Sequence, residues 1–316
     1  MDRRGNDNAI TRENLYGTTP EPTYAGALSF MRRKYTRELD GVDVVVTGVP
    51  LDTATTNRPG ARFGPRAVRA ASTIMAWERP YGMAFDPFEK LAVIDYGDCF
   101  FDHGRPETIP GAIEAHASNI IGQGPALLAI GGDHFVSYPL LKAHVAKHGG
   151  PLSLVHFDAH SDTWPDEGGR VDHGTMFHHA AKDGLVDPAA SVQVGLRTTN
   201  HDTMGFNVID APRVHEHGIE AVAARILEVV GDKPAYLTFD IDCLDPSCAP
   251  GTGTPVCGGL TSYQAMEILR RLAGIDVIGM DVVEVAPAYD VGEITALAAA
   301  HLAMEMLYLY GSRPGA

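Results

Sequence analysis

Two segments of the chain place aspartate and histidine side chains directly after apolar runs. In LVHFDAHSD these residues are Asp158, His160 and Asp162, and in LTFDIDCLD they are Asp240 and Asp242. Alternate residues of an extended chain point to the same side, so each segment aims its polar side chains together. Grouped carboxylates and imidazoles are ligands of divalent metal ions in hydrolytic enzymes. The spacing therefore indicates metal-dependent chemistry.

A third segment, IGGDH, adds Asp133 and His134 after another apolar run, where two glycines allow close approach of the backbone. Each segment alone is more typical of a turn with a surface histidine. Together they predict a metal site, because converging carboxylates repel one another and shift their pKa values unless a cation lies among them.

The set of ligands favours two cations over one. Four aspartates match the charge of two divalent ions, and His134 and His160 can each bind one ion. Oxygen-rich ligands with one imidazole per metal and no thiolate favour Mn²⁺ over Zn²⁺ or copper. Two such ions share a water, lower its pKa and hold it as a nucleophile, which is the chemistry of hydrolysis. The predicted cofactor is two Mn²⁺ ions per subunit.

Four further residues lie in or near these motifs, and three of them admit more than one role. His156 lies two residues before Asp158, so its side chain points to the same side of the chain but from deeper in the strand. This position favours core packing or support of a ligand over binding of the metal. Cys243 alternates away from the aspartates and is predicted to pack. His173, in RVDHGTMFHHA, fits a surface or capping role as well as a site role. Glu284, in MDVVEVAP, either forms a structural salt bridge or binds a cationic guanidinium with both oxygens.

Eight short runs rich in β-branched residues would position these side chains: 42–49, 90–95, 126–130, 152–157, 191–196, 205–209, 235–240 and 276–282. Most are continuously apolar, which is typical of strands buried on both faces.

Helical patterns lie between these runs. The apolar face of 219–230 ends at Gly231, Thr261 with Gln264 resembles a capping box in a helix ended by Gly274, and 291–310 is apolar nearly all round. This alternation predicts a single-domain, doubly wound α/β fold with a mostly parallel sheet of about eight strands. Ligands of such sheets collect beyond the carboxyl ends of the strands.

Composition limits the possible partners. Lys and Arg total 25 against 40 Asp and Glu, and this net charge of −15 repels nucleic acid and anionic membranes. It favours cationic ligands, although an acidic surface is commonly only a solubilising one. We find no membrane span or signal peptide in the sequence and expect a cytoplasmic protein with four reduced cysteines. Residues 1–40 are expected to form an N-terminal arm and 41–316 the catalytic domain.

Five motifs in order, GGDH, DAHSD, DHGTMF, FDIDCLDPSCAPGTGTP and DVVEVAP, resemble those of the ureohydrolases, which include arginases and agmatinases. The resemblance spans about 46–310, and the sequence around DHGTMF and EVAPAYD is most similar to that of bacterial agmatinases. It implies an arginase-like fold and a homo-oligomer, either a trimer or a hexamer.

The resemblance also implies roles for individual residues. One Mn²⁺ would be bound by His134, Asp158, Asp162 and Asp240, and the other by His160, Asp158, Asp240 and Asp242. Asp162 would orient a metal-bridging hydroxide that attacks the guanidinium carbon. Glu284 would hold the guanidinium, and His173 would pass a proton to the leaving amine.

The segment between Asp162 and His173, TWPDEGGRVD, bears on the substrate. It lacks the serine and asparagine pattern with which arginases hold the amino-acid end of arginine. The resemblance then implies agmatine, cleaved to urea and putrescine in polyamine biosynthesis. Asp166 and Glu167 either attract the free amine of agmatine or form a solvated loop. Arg170 leaves open an ω-guanidino acid, 4-guanidinobutyrate or 3-guanidinopropionate.

Two other classes remain open. A single-zinc enzyme like the acetylpolyamine deacetylases shares this fold family, but the additional ligands His134 and Asp162 argue against it. The metals could instead brace an assembly without catalysis, in which case removing them would abolish no hydrolysis.

Overall fold

The computed structural model of the protein describes residues 7–18, 21–76, 79–166 and 168–313. Its strands, in chain order, are β1 (Lys34–Tyr35), β2 (Val44–Val49), β3 (Val93–Asp98), β4 (Ala126–Gly131), β5 (Ser153–Phe157), β6 (Val192–Val194), β7 (Asn207–Ile209), β8 (Ala235–Asp240) and β9 (Val277–Val283). Its helices are α1 (Asn8–Thr11), α2 (Gly64–Ser72), α3 (Pro87–Lys90), α4 (Ile109–Ile121), α5 (Ser137–His148), α6 (Met176–Lys182), α7 (Ala211–Val230), α8 (Ser262–Arg270) and α9 (Ile294–Gly311).

The strands form one nine-stranded sheet in the order β1-β3-β2-β4-β9-β8-β5-β6-β7. Every neighbouring pair is parallel. The predicted α/β class and parallel sheet are confirmed, and all eight predicted strands are present. The ninth strand, β1, was missed because it has two residues and an exposed tyrosine, Tyr35, so it offers no apolar run.

Strand β1 pairs with β3 at the edge of the sheet. Phe30 and Met31, just before it, are fully buried in the hydrophobic core. Part of the predicted N-terminal arm is thus packed against the body of the protein. The boundary proposed near residue 40 stays a prediction.

Both faces of the sheet are covered, as the apolar strands predict. On β2, Val44 and Val46 belong to the hydrophobic cluster that includes α9, whereas Val45 and Val49 belong to the cluster that includes α4 and α5. Helix α9 is long and apolar enough to cross a membrane, with a mean hydropathy of 1.2, but 72% of it is buried inside the protein. It is the buried helix predicted from 291–310.

Three helix boundaries were predicted from local sequence signals, and the structure corrects one of them. Helix α7 ends at Gly231, and the capping box of Thr261 with Gln264 starts α8, both as predicted. Helix α8 ends at Arg270 and not at Gly274. A turn separates the two residues, and Gly274 has the positive φ of 108° at its end. All four cysteines are free thiols, which confirms that prediction.

The topology brings four strand ends together at the centre of the sheet. The chain runs from β4 to β5 across the space that β9 and β8 later fill, so β4, β9, β8 and β5 are neighbours. Such a reversal of strand order leaves a crevice beyond the carboxyl ends of the strands. The predicted site residues follow these four strands.

Gly132 lies where the segment after β4 passes the segment after β2. A Cβ atom there would lie 2.4 Å from the carbonyl oxygen of Val49 and 2.5 Å from that of Leu51. The carbonyl of Gly132 also accepts the backbone N–H of Glu284 at 2.8 Å. Gly132 therefore permits the close backbone approach that the sequence predicted for the glycines of IGGDH.

We expect Gly132→Ala to lower the free energy of unfolding by about 3 kcal/mol, because the added methyl group meets backbone atoms that cannot rotate away. Urea denaturation followed by tryptophan fluorescence measures this loss. Gly111→Ala in α4 is the control. No atom lies within 4 Å of its added Cβ, so the variant should be about 0.5–1 kcal/mol more stable than the wild type. Equal stability of Gly132→Ala and the wild type would contradict the close contact.

Candidate metal centre and active site

His134 faces three aspartates across the ends of the central strands. Its Nδ1 lies 3.1 Å from Asp158 Oδ2, 3.0 Å from Asp162 Oδ2 and 3.2 Å from Asp240 Oδ2. All four residues are buried. Although these contacts are short, Nδ1 makes no hydrogen bond of good geometry within the part of the chain that the structure describes.

A buried polar network orients the ring of His134. Its Nε2 lies 2.8 Å from Thr238 Oγ1, and that hydroxyl donates to Asp281 Oδ1 at 2.5 Å. Asp281 also accepts the hydroxyls of Tyr236 and Ser137. Since the hydroxyl of Thr238 gives its proton to Asp281, it accepts from Nε2–H of His134, and the lone pair of Nδ1 points at the carboxylates. A lone pair facing three carboxylate oxygens fits a bound cation.

We expect Thr238→Val to weaken metal binding about 10-fold to 100-fold, because His134 loses the hydroxyl that fixes its tautomer. Chelator competition on the purified protein gives the dissociation constants. Thr238→Ser keeps the hydroxyl and should bind metal nearly as tightly as the wild type. Unchanged metal affinity in the valine variant would show that Thr238 does not support the metal ligand His134.

A second group of ligands adjoins the first through Asp158. His160 Nδ1 lies 3.3 Å from Asp158 Oδ1 and 3.2 Å from Asp242 Oδ2. Asp158 thus presents one oxygen to each group. Two clusters that share Asp158 have the spacing of metal ligands: one is His134, His156, Asp158 and Asp162, and the other is Asp158, His160 and Asp242. Thr254 Oγ1 donates to Asp242 Oδ2 at 3.1 Å and holds that carboxylate in place.

The carboxylates are too crowded to remain charged without compensation. Burial and repulsion from Asp158 raise the pKa of Asp162 to about 6. Burial, Asp242 and Asp158 raise the pKa of Asp240 well above its usual range. Burial opposes ionisation of Asp158 too, but the neighbouring histidines, first among them His156, hold its pKa well below the ordinary value. Cations among these oxygens would relieve the repulsion, so the residues present fit two divalent ions.

His156 and Cys243 support the site from behind. His156 Nε2 lies 2.7 Å from Asp158 Oδ2, and its Nδ1 lies 3.0 Å from Gln193 Nε2. Both ring nitrogens are therefore engaged, which matches the supporting role that the sequence favours. Cys243 is fully buried, and its sulfur lies 3.5 Å from the carbonyl of Val194. Its predicted packing role is confirmed.

Glu284 and His173 form a pair beside the metal ligands. His173 Nδ1 lies 3.0 Å from Glu284 Oε1, and the same oxygen accepts the backbone N–H of His134 at 2.8 Å. Glu284 Oε2 is buried and has no hydrogen-bond partner among the described residues. Burial opposes protonation of His173, but Glu284 overcomes it and raises the pKa of His173 to about 9. The pair leaves one carboxylate oxygen free to bind a cationic ligand.

Two site residues have a backbone conformation that L-amino acids rarely adopt. The φ angles are 51° at Asp162 and 66° at Glu284. This left-handed conformation costs about 1–2 kcal/mol per residue. Strain of this kind is concentrated at functional sites, where neighbouring structure holds it in place.

The segment between Asp162 and His173 contains the candidate substrate residues. Asp166 Oδ2 is buried without a hydrogen-bond partner in the described part of the chain, whereas Glu167 lies outside the described residues. Arg170 is 75% exposed in its side chain and forms an ion pair with Asp172 at 2.7 Å. Arg170 thus already has a carboxylate partner within the protein.

Sequence reasoning missed the residues that support the ligands. Asp281 had a signal, because a charged residue in the middle of the apolar run VIGMDVV must be paired when it is buried. Thr238 also had one, since it shares the parity of Asp240 on β8. Thr56 contacts Nε2 of His173 through both its backbone N–H and its hydroxyl. The sequence contains no signal for this contact. Thr56 lies 117 residues away from His173 in sequence, in a loop without a recognisable pattern.

Comparison with known proteins agrees with this fold and site. The sequence profile of the Arginase family matches residues 42–308. The chain therefore belongs to the Arginase family, and the predicted enzyme class, a ureohydrolase, is confirmed.

Three relatives are closely similar to the chain. It is 60% identical over 304 residues to an agmatinase of Chromobacterium violaceum, covering 96% of this chain and 94% of that protein. A crystal structure of a hypothetical agmatinase from Burkholderia thailandensis superposes with a TM-score of 0.95 at 62% identity, covering 96% and 97% of the two chains. Proclavaminate amidino hydrolase from Streptomyces clavuligerus superposes with a TM-score of 0.86 at 40% identity, covering 92% and 99%.

Proposed function

We propose that the protein hydrolyses agmatine to urea and putrescine. The observation that carries the proposal is the free oxygen of Glu284, buried beside two ligand groups that share Asp158. A guanidinium needs a carboxylate with open acceptor positions, and hydrolysis needs an activated water at the same carbon. The agmatinase relatives at 60% and 62% identity support the choice of substrate.

The two metal sites would be formed by the predicted ligands: His134, Asp158, Asp162 and Asp240 for one ion, and His160, Asp158, Asp240 and Asp242 for the other. Two divalent cations held there would lower the pKa of a shared water and stabilise charge at the reacting carbon. We propose Mn²⁺ because the donors are oxygens and imidazoles without thiolate.

Glu284 would bind and orient the guanidinium. Its Oε1 is occupied by the N–H of His134 and by His173, so the free Oε2 is the acceptor left for the substrate. Asp162 would accept a hydrogen bond from the attacking water and aim its lone pair at the guanidinium carbon.

His173 would move the proton that the reaction requires. An amine leaves as the neutral species only if its nitrogen is protonated when the C–N bond breaks. The electron pair of that bond stays with the amine nitrogen, which takes a proton that His173 has received from the attacking water. The contact of His173 with Glu284 holds the imidazole next to the bound guanidinium.

Charge favours an amine over an acid at the far end of the substrate. Arg170 already pairs with Asp172, so a substrate carboxylate would have to share its guanidinium with that residue. The net charge of −15 attracts a dication such as agmatine. A guanidino acid is the second candidate, because an amidino hydrolase with another substrate name is 40% identical to this chain.

The test is urea release from agmatine, 4-guanidinobutyrate, 3-guanidinopropionate and arginine by the purified, Mn²⁺-loaded protein. We expect agmatine to give the highest kcat/KM. A preference for a guanidino acid would keep the mechanism and change the substrate, whereas no urea from any compound would refute the proposed function. Metal analysis of the same sample should give two ions per chain, and one zinc would indicate the deacetylase alternative. The cytoplasmic location and the trimeric or hexameric state stay predictions.

A further inference from the structure

His173 is held between two groups of different character. Its Nδ1 contacts Glu284 Oε1 at 3.0 Å. On the other side, its Nε2 contacts Thr56 twice, at 2.9 Å from the backbone nitrogen and at 2.8 Å from the hydroxyl oxygen. Thr56 is exposed and lies in the loop between β2 and α2.

Several contacts outside the metal ligands fix this loop. The N–H of Ala54 donates to Asp133 Oδ2 at 3.0 Å, and the N–H of Gly60 donates to Asp52 Oδ2 at 2.9 Å. Asn57 Nδ2 donates to the carbonyl of Gly253 at 2.9 Å. Thr56 is therefore held against His173 by anchors on both sides of it.

The two contacts on Nε2 respond differently to protonation of His173. A backbone N–H can only donate, so beside Thr56 the neutral ring accepts at Nε2 and carries its proton at Nδ1, facing Glu284. When Nε2 gains a proton, the N–H of Thr56 no longer has a favourable contact there. The hydroxyl of Thr56 can rotate and accept a hydrogen bond from the new Nε2–H, because a threonine hydroxyl is both donor and acceptor.

We propose that Thr56 is a positioning residue for the proton transfer of His173, its hydroxyl changing from donor to acceptor as the imidazole gains its proton. The N–H of Thr56 opposes protonation of the ring, and Glu284 favours it. The opposing contacts keep the imidazole able to release the proton to the leaving amine. This inference rests on the proposed function, since it concerns the same hydrolysis.

The charged groups that act most strongly on the pKa of His173 are Glu284, Asp162 and Asp133, all of them acidic. These groups, and any cation bound at Asp162, are the same in the wild type and in every variant of Thr56. A change at Thr56 therefore alters the acidity of His173 only through the hydroxyl contact.

The experiment compares Thr56→Val with Thr56→Ser on agmatine. Valine keeps the backbone N–H and puts a methyl group where the hydroxyl was, which also keeps water from that place. We expect kcat to fall about tenfold or more, with KM changed less than about threefold, because binding of the guanidinium depends on Glu284. Serine should restore most of kcat.

The pH profile supplies a readout that a merely structural role would not move. Losing the acceptor for Nε2–H destabilises the protonated imidazole and lowers the pKa of His173. Because His173 must start as the neutral ring to receive the proton of the attacking water, the acidic limb of kcat should move about one pH unit toward acid in the valine variant. Thr53→Val, an exposed position three residues earlier on the same loop, should leave the profile unchanged. Metal content and thermal midpoint, measured on each variant, show that the fold and the cation sites are intact.

The outcomes separate this inference from the proposed function. If the wild type releases urea from agmatine and Thr56→Val matches it in kcat and in pH profile, the role of Thr56 is refuted and the function stands. If serine fails to restore the rate, the hydroxyl is not the group that matters, and the inference is again wrong. If the wild type has no activity on any guanidino compound, the proposed function itself fails.

Discussion

Asp158→Asn is expected to lower kcat for urea release about 10³-fold or more and to reduce the metal content below two ions per chain. Asp158 presents Oδ1 to His160 and Oδ2 to His134, so it contacts the histidine of each ligand group. Asparagine has nearly the same shape but carries no charge, and its amide nitrogen would face one of the two ions. Loss of charge at the centre of a two-metal site removes both affinity and activation of water.

Metal analysis and steady-state kinetics of the same preparation test this result together. Asp232→Asn, at an exposed position, changes charge by the same amount and should retain full metal content and activity. An Asp158→Asn protein with two tightly bound ions and wild-type kcat would show that the cations are bound elsewhere.

Glu284→Gln is expected to lower kcat/KM for agmatine by about 10²-fold to 10³-fold while leaving the metal content unchanged. The buried carboxylate is the proposed partner of the guanidinium, and replacing one member of a buried charge pair costs about 2–5 kcal/mol. The amide oxygen of glutamine can still accept from the N–H of His134 and from His173, so the local structure should persist.

The metal content distinguishes this effect from a damaged cation site. Glu220→Gln, an exposed position on α7, is the matched control and should have wild-type kinetics. A Glu284→Gln variant with unchanged kcat/KM would exclude the carboxylate from guanidinium binding and would favour the purely structural interpretation of Glu284.

The sequence identified the strand-end aspartates because each group directly follows an apolar run. The extended geometry expected for them does not hold throughout: Asp162 has a φ of 51°, and Asp242 lies in a 3-10 turn, Ile241–Cys243, directly after β8. That different strands would bring these groups together followed from the parallel sheet, since all carboxyl ends of its strands lie at one edge. The distances agree: His134 lies within 3.2 Å of three aspartates that come from two other strand ends.

The contacts that depend on loop conformation could not be predicted in this way. Thr56 reaches His173 because the loop after β2 is anchored by Asp133, and nothing in TATTN indicates that anchor. Strand β1 was not predicted, for a related reason: a two-residue edge strand is defined by its pairing with β3 and not by its own residues. The role of the Thr238 hydroxyl also depends on a partner, because its proton is accepted by Asp281 on the neighbouring strand.

The left-handed backbone at Asp162 and Glu284 sets a limit on how stable this enzyme can become. Glycine at either position would relax the backbone and remove the carboxylate in the same step. A search that selects variants for heat resistance alone should therefore enrich glycine at these positions and return folded proteins without hydrolase activity. Selection for turnover should keep the strained side chains, because the conformation that costs stability is the one that turns each carboxylate toward its ligand.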